Sequence, residues 1–292
     1  MKYIFDILSF FFFLALLTRA AAGQEIWDVT GQRYISEGIL IDKLKSSPKI
    51  LLGIRQDNPE HHDLAARVLQ KLSTTGHGPV ILVGNVERNK QNAFAIFIQR
   101  HQNSGQVYDA TGLDMLLDWA HSGQAGWTNA RPVFDLAMKR KLPLIASAFS
   151  RYEVGQIYIN GQNGIPGDMA EQTSPRLLQP LPEGARARLE QEVGTNFCGP
   201  LPPEVLQKLV YLHRMQNGLF ARNMTREGDH GTLLIAAQKY VDKEIGVPPM
   251  LEGKSISLIF AEKGQKIKEG ASDFIWRAKA FPRRDPCEFL NP

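Results

Sequence analysis

The sequence has few cysteines, little net charge and few unbroken apolar runs, and each shortage removes a class of protein. Only Cys198 and Cys287 are present, so one intramolecular disulfide is the upper limit. Thirty-four Lys and Arg against 30 Asp and Glu leave a formal charge of +4 and no basic run, which argues against a nucleic-acid partner. The longest apolar stretch, Ile7–Leu17, is about 11 residues, short of the roughly 20 that span a bilayer, so no stable membrane span is expected. No cysteine directly follows that stretch, which argues against a bacterial lipoprotein anchor. There is no internal repeat and no low-complexity linker, so residues 25–292 read as one domain.

What is there is ample core material, with 43% hydrophobic residues over 292 positions. Lys2, the apolar Ile7–Leu17 and the small-residue Ala20-Ala21-Ala22 read as a secretory signal over residues 1–22. Lys2, Asp6 and Arg19 carry +1 of the formal charge, leaving +3 on the rest. Two cysteines behind such a leader suggest one disulfide. It would join the tail to the body across 89 positions, the alternative being two buried thiols.

Short apolar runs alternate with helical patterns. Ile50–Leu52 ending at Gly53 reads as a buried strand. Asn58 then offers an N-cap oxygen, Pro59 a first helical residue, and Leu64, Val68, Leu69 and Leu72 a helical stripe. Further strands are expected at Pro79–Gly84, Pro143–Phe149, Gly231–Ala237, Ile256–Ala261 and Phe274–Ala278. The helices between them are expected at Ser36–Lys45, Asn89–His101, Leu113–Ala120, Trp127–Lys141, Glu183–Val193 and Pro203–Met224. The order implies an α/β fold: a mostly parallel sheet with helices on both faces. Residues 160–184, rich in Gly and Pro, read as an excursion from the sheet. In such sheets ligands gather at the carboxyl ends of strands, and the loop after Gly53 carries Arg55, Gln56, Asp57, Asn58, His61 and His62.

The run Leu51-Leu52-Gly53, with Asp57, Asn58, Pro59, His61 and His62, resembles the motif L-L-G-E-x-H-D-N-P-x-H-H of the ChaN family. These are haem-binding uptake proteins related to the Tiki proteases and erythromycin esterases. The similarity continues through Trp127 and Pro132, the Cys198-Gly199-Pro200-Leu201-Pro202 segment, the His213–Ala221 helix, Leu234–Pro248 and Asp273–Cys287. The reactive positions depart from the pattern. Ile54 stands for the motif's Glu, Gln56 for its His, Tyr240 for a later His, and Gly84 for a second Glu.

The resemblance implies an exported protein of haem or iron uptake, periplasmic or secreted in a bacterial host, with haem or an uptake component as partner and room for a homodimer. Ile54 and Gln56 supply neither a proton carrier nor a good metal ligand, so binding without catalysis is the leading expectation. The alternatives are a metal-dependent hydrolase with a rearranged site and a ligand-free interaction protein. Tyr240 is the candidate haem ligand, since phenolate oxygen ligates ferric haem. Arg55 or Lys239 would lower its pKa or pair a propionate. His61 and His62 would assist from the facing loop. As neighbours about 100° apart on a helix they do not easily share one site, and the bland reading packs one under the loop and leaves the other in water. For Tyr240 the bland reading is an aromatic filler. Trp127, Phe134, Phe149 and Tyr152 are read as pocket wall or core, and Gly53 and Gly84 as strand-end turns.

Overall fold

The structure is a computed structural model that describes residues 25–102, 108–170, 177, 179–195, 197–227, 231–285 and 287–288. The leader expected over 1–22 lies outside these residues, as does part of the expected excursion at 160–184.

Eight strands form one sheet in the order β2-β1-β8-β7-β3-β6-β4-β5. They are β1 (Ile26–Asp28), β2 (Arg33–Ile35), β3 (Lys49–Ile54), β4 (Val80–Glu87), β5 (Leu144–Ala148), β6 (Thr232–Ala237), β7 (Ser255–Glu262) and β8 (Phe274–Ala278). β8 to β5 run parallel, while the β1–β2 hairpin adds antiparallel at the β8 edge. The doubly covered parallel sheet expected from the sequence is what the chain builds. β2 was not foreseen, because its Arg33 and Tyr34 are exposed and only Ile35 turns inward.

The strands are apolar on both sides because both faces are covered. One face, built on Ile50, Leu52 and Ile54 of β3, is packed by α1 (Glu37–Lys45), α2 (Pro59–Leu72), α3 (Gln91–Gln102), α4 (Leu113–Leu117) and α5 (Trp127–Arg140). The other, built on Leu51, is packed by α6 (Arg151–Asn160), α7 (Gly167–Ala170), α9 (Pro203–Arg226) and α10 (Gln238–Val241). A third cluster joins α8 (Glu183–Gly194) to α9 through Leu189, Val193, Leu206 and Val210.

α6 is the second element that hydrophobic periodicity missed, because only Ile157 of its ten residues is buried. Its signal was local. Ser150 and Glu153 close a reciprocal capping box at its start.

Gly53 and Gly84 are glycine for a reason other than turning, since neither has a positive φ. A Cβ on Gly53 would lie 2.4 Å from Val241 Cγ2 and 3.2 Å from the Gln238 backbone, so α10 crosses β3 at contact distance. A Cβ on Gly84 would lie 2.8 Å from Ala236 Cβ and 3.1 Å from the Phe220 ring.

Candidate functional site at the carboxyl edge of the sheet

β3 and β6 are hydrogen-bonded neighbours, yet their exits diverge. The chain leaves β3 for α2 on one face and leaves β6 for α10 on the other. Such a divergence is where parallel sheets open a crevice.

On the α2 side, Asn58 caps its helix as expected: its Oδ1 accepts from the Glu60 N–H at 3.0 Å. Its Nδ2 also donates to Glu262 Oε1 at 2.8 Å and to the Lys279 carbonyl at 3.0 Å. Asp57 does not cap. Arg283 donates to it through Nε at 2.7 Å and reaches Glu262 through Nη1 at 2.9 Å and Nη2 at 2.7 Å. The Glu60 carboxylate accepts from the Lys279 N–H at 2.7 Å. The tail after β8 is thereby strapped across the β3 and β7 exits and continues to Cys287. That residue is disulfide-bonded to Cys198, with 5.3 Å between Cα atoms. The Arg283 guanidinium holds the Glu262 carboxyl down at about 2, against burial, which pushes the other way.

His61 and His62 are both buried, so neither is the solvated neighbour of the bland reading. His61 Nδ1 accepts from the Arg55 N–H at 2.9 Å, and its ring lies 6.1 Å from that of Phe260. His62 Nε2–H donates to the Gln56 carbonyl at 2.9 Å. The two rings brace the loop from within. Burial lowers the pKa of both, that of His61 to about 4, so they are neutral at pH 7. His61 Nε2 is buried without a partner among the described residues.

Tyr240 sits on the other face. Its ring stacks on His213 at 4.7 Å and 8° and meets Phe220 edge-on at 5.3 Å. Tyr240 and the two loop histidines therefore do not face one another: the sheet separates them. The expected lowering of the Tyr240 pKa is also reversed, because burial pushes the phenol up to about 12. Lys239 lies over the ring, its Nζ 5.4 Å from the centroid. Arg55 instead contacts Asp57 on the α2 side, 3.5 Å away. His213, not singled out from sequence as a site residue, is buried with its pKa lowered by burial to about 3. Its Nε2–H donates to the Ile245 carbonyl at 3.3 Å.

The departures from the family pattern have matching geometry. Ile54 is 3% exposed and packs in the α2-side core. The volume beside Gly84 is filled by Phe220. Among the described residues no three His, Cys, Asp or Glu side chains gather closely enough to hold a metal ion. Beside Tyr240 a cleft of about 270 Å³ is lined by Arg188, Lys239, Lys266 and Lys268. Clefts for drug-sized ligands run about 300–1,000 Å³ and are mostly apolar, so a haem macrocycle does not fit there.

An open apolar face does exist, on α6. Tyr152 is 74% and Ile159 69% exposed, and they share one side of the helix at a spacing of seven. Gly155 lies between them with nothing near the position its Cβ would take. Tyr152, expected as core or pocket wall, is outside. Phe134 and Phe149 are buried and Trp127 packs against the core. A groove of about 480 Å³ between α6 and α9 adjoins this face, lined by Tyr158, Ile159, Lys208 and Tyr211.

A family model described as haem-binding uptake, Tiki superfamily, ChaN matches residues 40–251. Among solved structures the chain is similar to that of cofacial haem binding to ChaN of Campylobacter jejuni. The TM-score is 0.67 and the identity 18%, over 86% of this chain and 94% of that one. A type III effector, HopBA1, matches at a TM-score of 0.47 and 10% identity, over 82% and 91% of the two chains. No curated protein sequence matches significantly. Among the described residues no helix is long and apolar enough to cross a membrane.

Proposed function

The chain belongs to the haem-binding uptake family of ChaN in the Tiki superfamily, and on that footing we propose that it binds haem as an exported, non-hydrolytic protein. The observation that carries the ligand assignment is the open face of α6. A porphyrin needs a flat apolar surface and an iron ligand within reach. Tyr152, Gly155 and Ile159 offer both, with Lys208 across the adjoining groove for a propionate. A helix face covers one side of the macrocycle and leaves the other for a second copy of the chain. The solved relative, ChaN of Campylobacter jejuni, binds haem cofacially.

Two observations support the absence of hydrolysis. Ile54 occupies a core position, and Phe220 fills the space beside Gly84. Export is supported by the leader pattern and by a Cys198–Cys287 disulfide, which persists in oxidising compartments. N-terminal sequencing of the processed chain tests it: an intact Met1 on chain recovered outside the cytoplasm refutes cleavage.

Ferric haem titration followed by absorbance tests the main claim. Wild type is expected to give a saturable Soret change. Tyr152→Phe is expected to lose the ligand-dependent spectrum and Tyr240→Phe to keep it. No saturable change in wild type overturns haem binding. Loss in Tyr240→Phe alone moves the ligand to Tyr240, with Lys239 and His213 as the neighbours to examine next.

A further inference from the structure

The cleft beside Tyr240 is too small and too polar for haem, but it is built for something smaller. Its walls are α8 with Arg188, Gln191 and Glu192, its C-cap Thr195, α10 with Gln238 and Lys239, and the β7–β8 connection with Gln265, Lys266 and Lys268. It lies at the carboxyl ends of β6 and β7, where this sheet type collects ligands.

The cations around it divide into two groups. Arg188 is saturated: it donates to Asp242 Oδ1 at 2.9 Å and to Glu244 Oε2 at 2.6 Å. Lys268 is paired with Glu244 as well. Lys239 and Lys266 are different. Among the described residues no hydrogen bond or ion pair engages either ammonium. Lys239 is half-buried, with the Tyr240 ring beneath it. Burial lowers its pKa below the ordinary lysine value, and the carboxylate that acts on it is Glu192, on the exposed rim.

The floor is rigid and already satisfied. Gln265 Nε2 donates to Gln238 Oε1 at 2.8 Å, and Gln238 Nε2 donates to the Phe260 carbonyl at 2.5 Å. Asp242 is neutralised by Arg188 and by the N–H groups of Glu244 and Ile245. The cleft thus carries two ammoniums that no carboxylate hydrogen-bonds among the described residues, with Glu192 acting on Lys239 only from the rim. A half-buried ammonium without a hydrogen-bonded partner is costly unless a ligand supplies one.

We propose that this cleft binds a small oxyanion, a carboxylate or a phosphate, with Lys239 as the inner cation and Lys266 as the outer one. The site is independent of the haem face, since α6 contributes nothing to its walls.

Calorimetric titration of the haem-free, disulfide-bonded chain with inorganic phosphate, and separately with succinate, at fixed ionic strength tests this. Saturable one-to-one binding of at least one is expected, and the tighter of the two identifies the headgroup. Lys239→Met is expected to weaken it by about tenfold or more, the usual worth of one charge-assisted hydrogen bond. Lys266→Gln is expected to weaken it by about threefold, as befits a more exposed charge. No saturable binding of either anion overturns the proposal, as does an affinity unchanged in Lys239→Met. If Lys239→Met does not fold, Gln191→Glu on the exposed rim replaces it. It adds a carboxylate facing the ligand, and an unchanged affinity there overturns the proposal equally.

Discussion

Glu262→Gln tests the strap that closes the carboxyl edge. Glu262 accepts from both Nη groups of Arg283 at 2.9 and 2.7 Å, from Asn58 Nδ2 at 2.8 Å and from the Phe281 N–H at 3.3 Å. Together these hold its carboxyl at about 2 rather than the ordinary 4.5. A displacement of that size corresponds to about 3 kcal/mol if fully expressed. Arg283 is 30% and Asp57 44% exposed, so solvent screening brings the expected contribution down to about 1–2 kcal/mol. The folded pKa is depressed, which fixes the direction. The contribution is complete above pH 4.5 and is lost as pH falls towards about 2, where folded and unfolded chains are both protonated.

Urea unfolding of wild type and Glu262→Gln at about pH 7 and about pH 3 measures it. The variant is expected to be less stable at the higher pH, by the amount above, and the gap is expected to shrink to less than half at the lower, closing only as pH approaches about 2. A gap that is absent at neutral pH, or that stays constant on acidification, refutes the assignment of the shift to this clasp. Cutting the strap is also expected to speed proteolysis of residues 279–288 while leaving the body intact.

Two further outcomes follow from the same edge. Non-reduced peptide mapping of chain from its native compartment is expected to recover Cys198 linked to Cys287. Reduction is expected to cost about 3–5 kcal/mol for a loop of 89 positions, and two free thiols would remove the claim. Ile54→Glu combined with Gln56→His is expected to destabilise the chain by about 3 kcal/mol or more without producing metal-dependent hydrolysis. The new carboxylate would be buried in the α2-side core, away from Tyr240. Chelator-sensitive hydrolysis by that variant would show the site to be recoverable.

The local grammar was legible in the sequence. Asn58 and Pro59 announce the start of α2, the run to Gly53 announces β3, and the two-sided apolar strands announce a doubly covered sheet. What was not legible depends on which face each loop takes. Placing Tyr240 and the His61–His62 loop at one edge of a parallel sheet follows from strand order. Placing them on opposite sides of that sheet depends on α10 crossing β3 at Gly53, a contact between residues far apart in the chain. The Arg283–Asp57–Glu262 clasp is hidden for the same reason: Arg283 and Asp57 lie 226 positions apart. α6 escaped because its apolar residues are spread around the helix and only Ile157 is buried, although Ser150 and Glu153 mark its first turn.

The same geometry explains why the replaced positions act together. Without a side chain at position 84, Phe220 comes up against β4 and β6. Phe220 and His213, seven residues apart on α9, then hold the Tyr240 ring edge-on and face-on. The pocket that acid–base groups would need at the strand exits is occupied by this aromatic stack on one face. On the other it is occupied by Ile54, with the tail strapped over the exit. A chain packed this way has no interior volume there for a macrocycle. Among the described residues near the edge, exposed apolar side chains include Tyr152 and Ile159 of α6 and Phe281 of the strap, and the Lys239 ammonium lines its own cleft. On the assignments proposed above, binding chemistry at this edge is displaced outward from the strand ends to the helices that cover them.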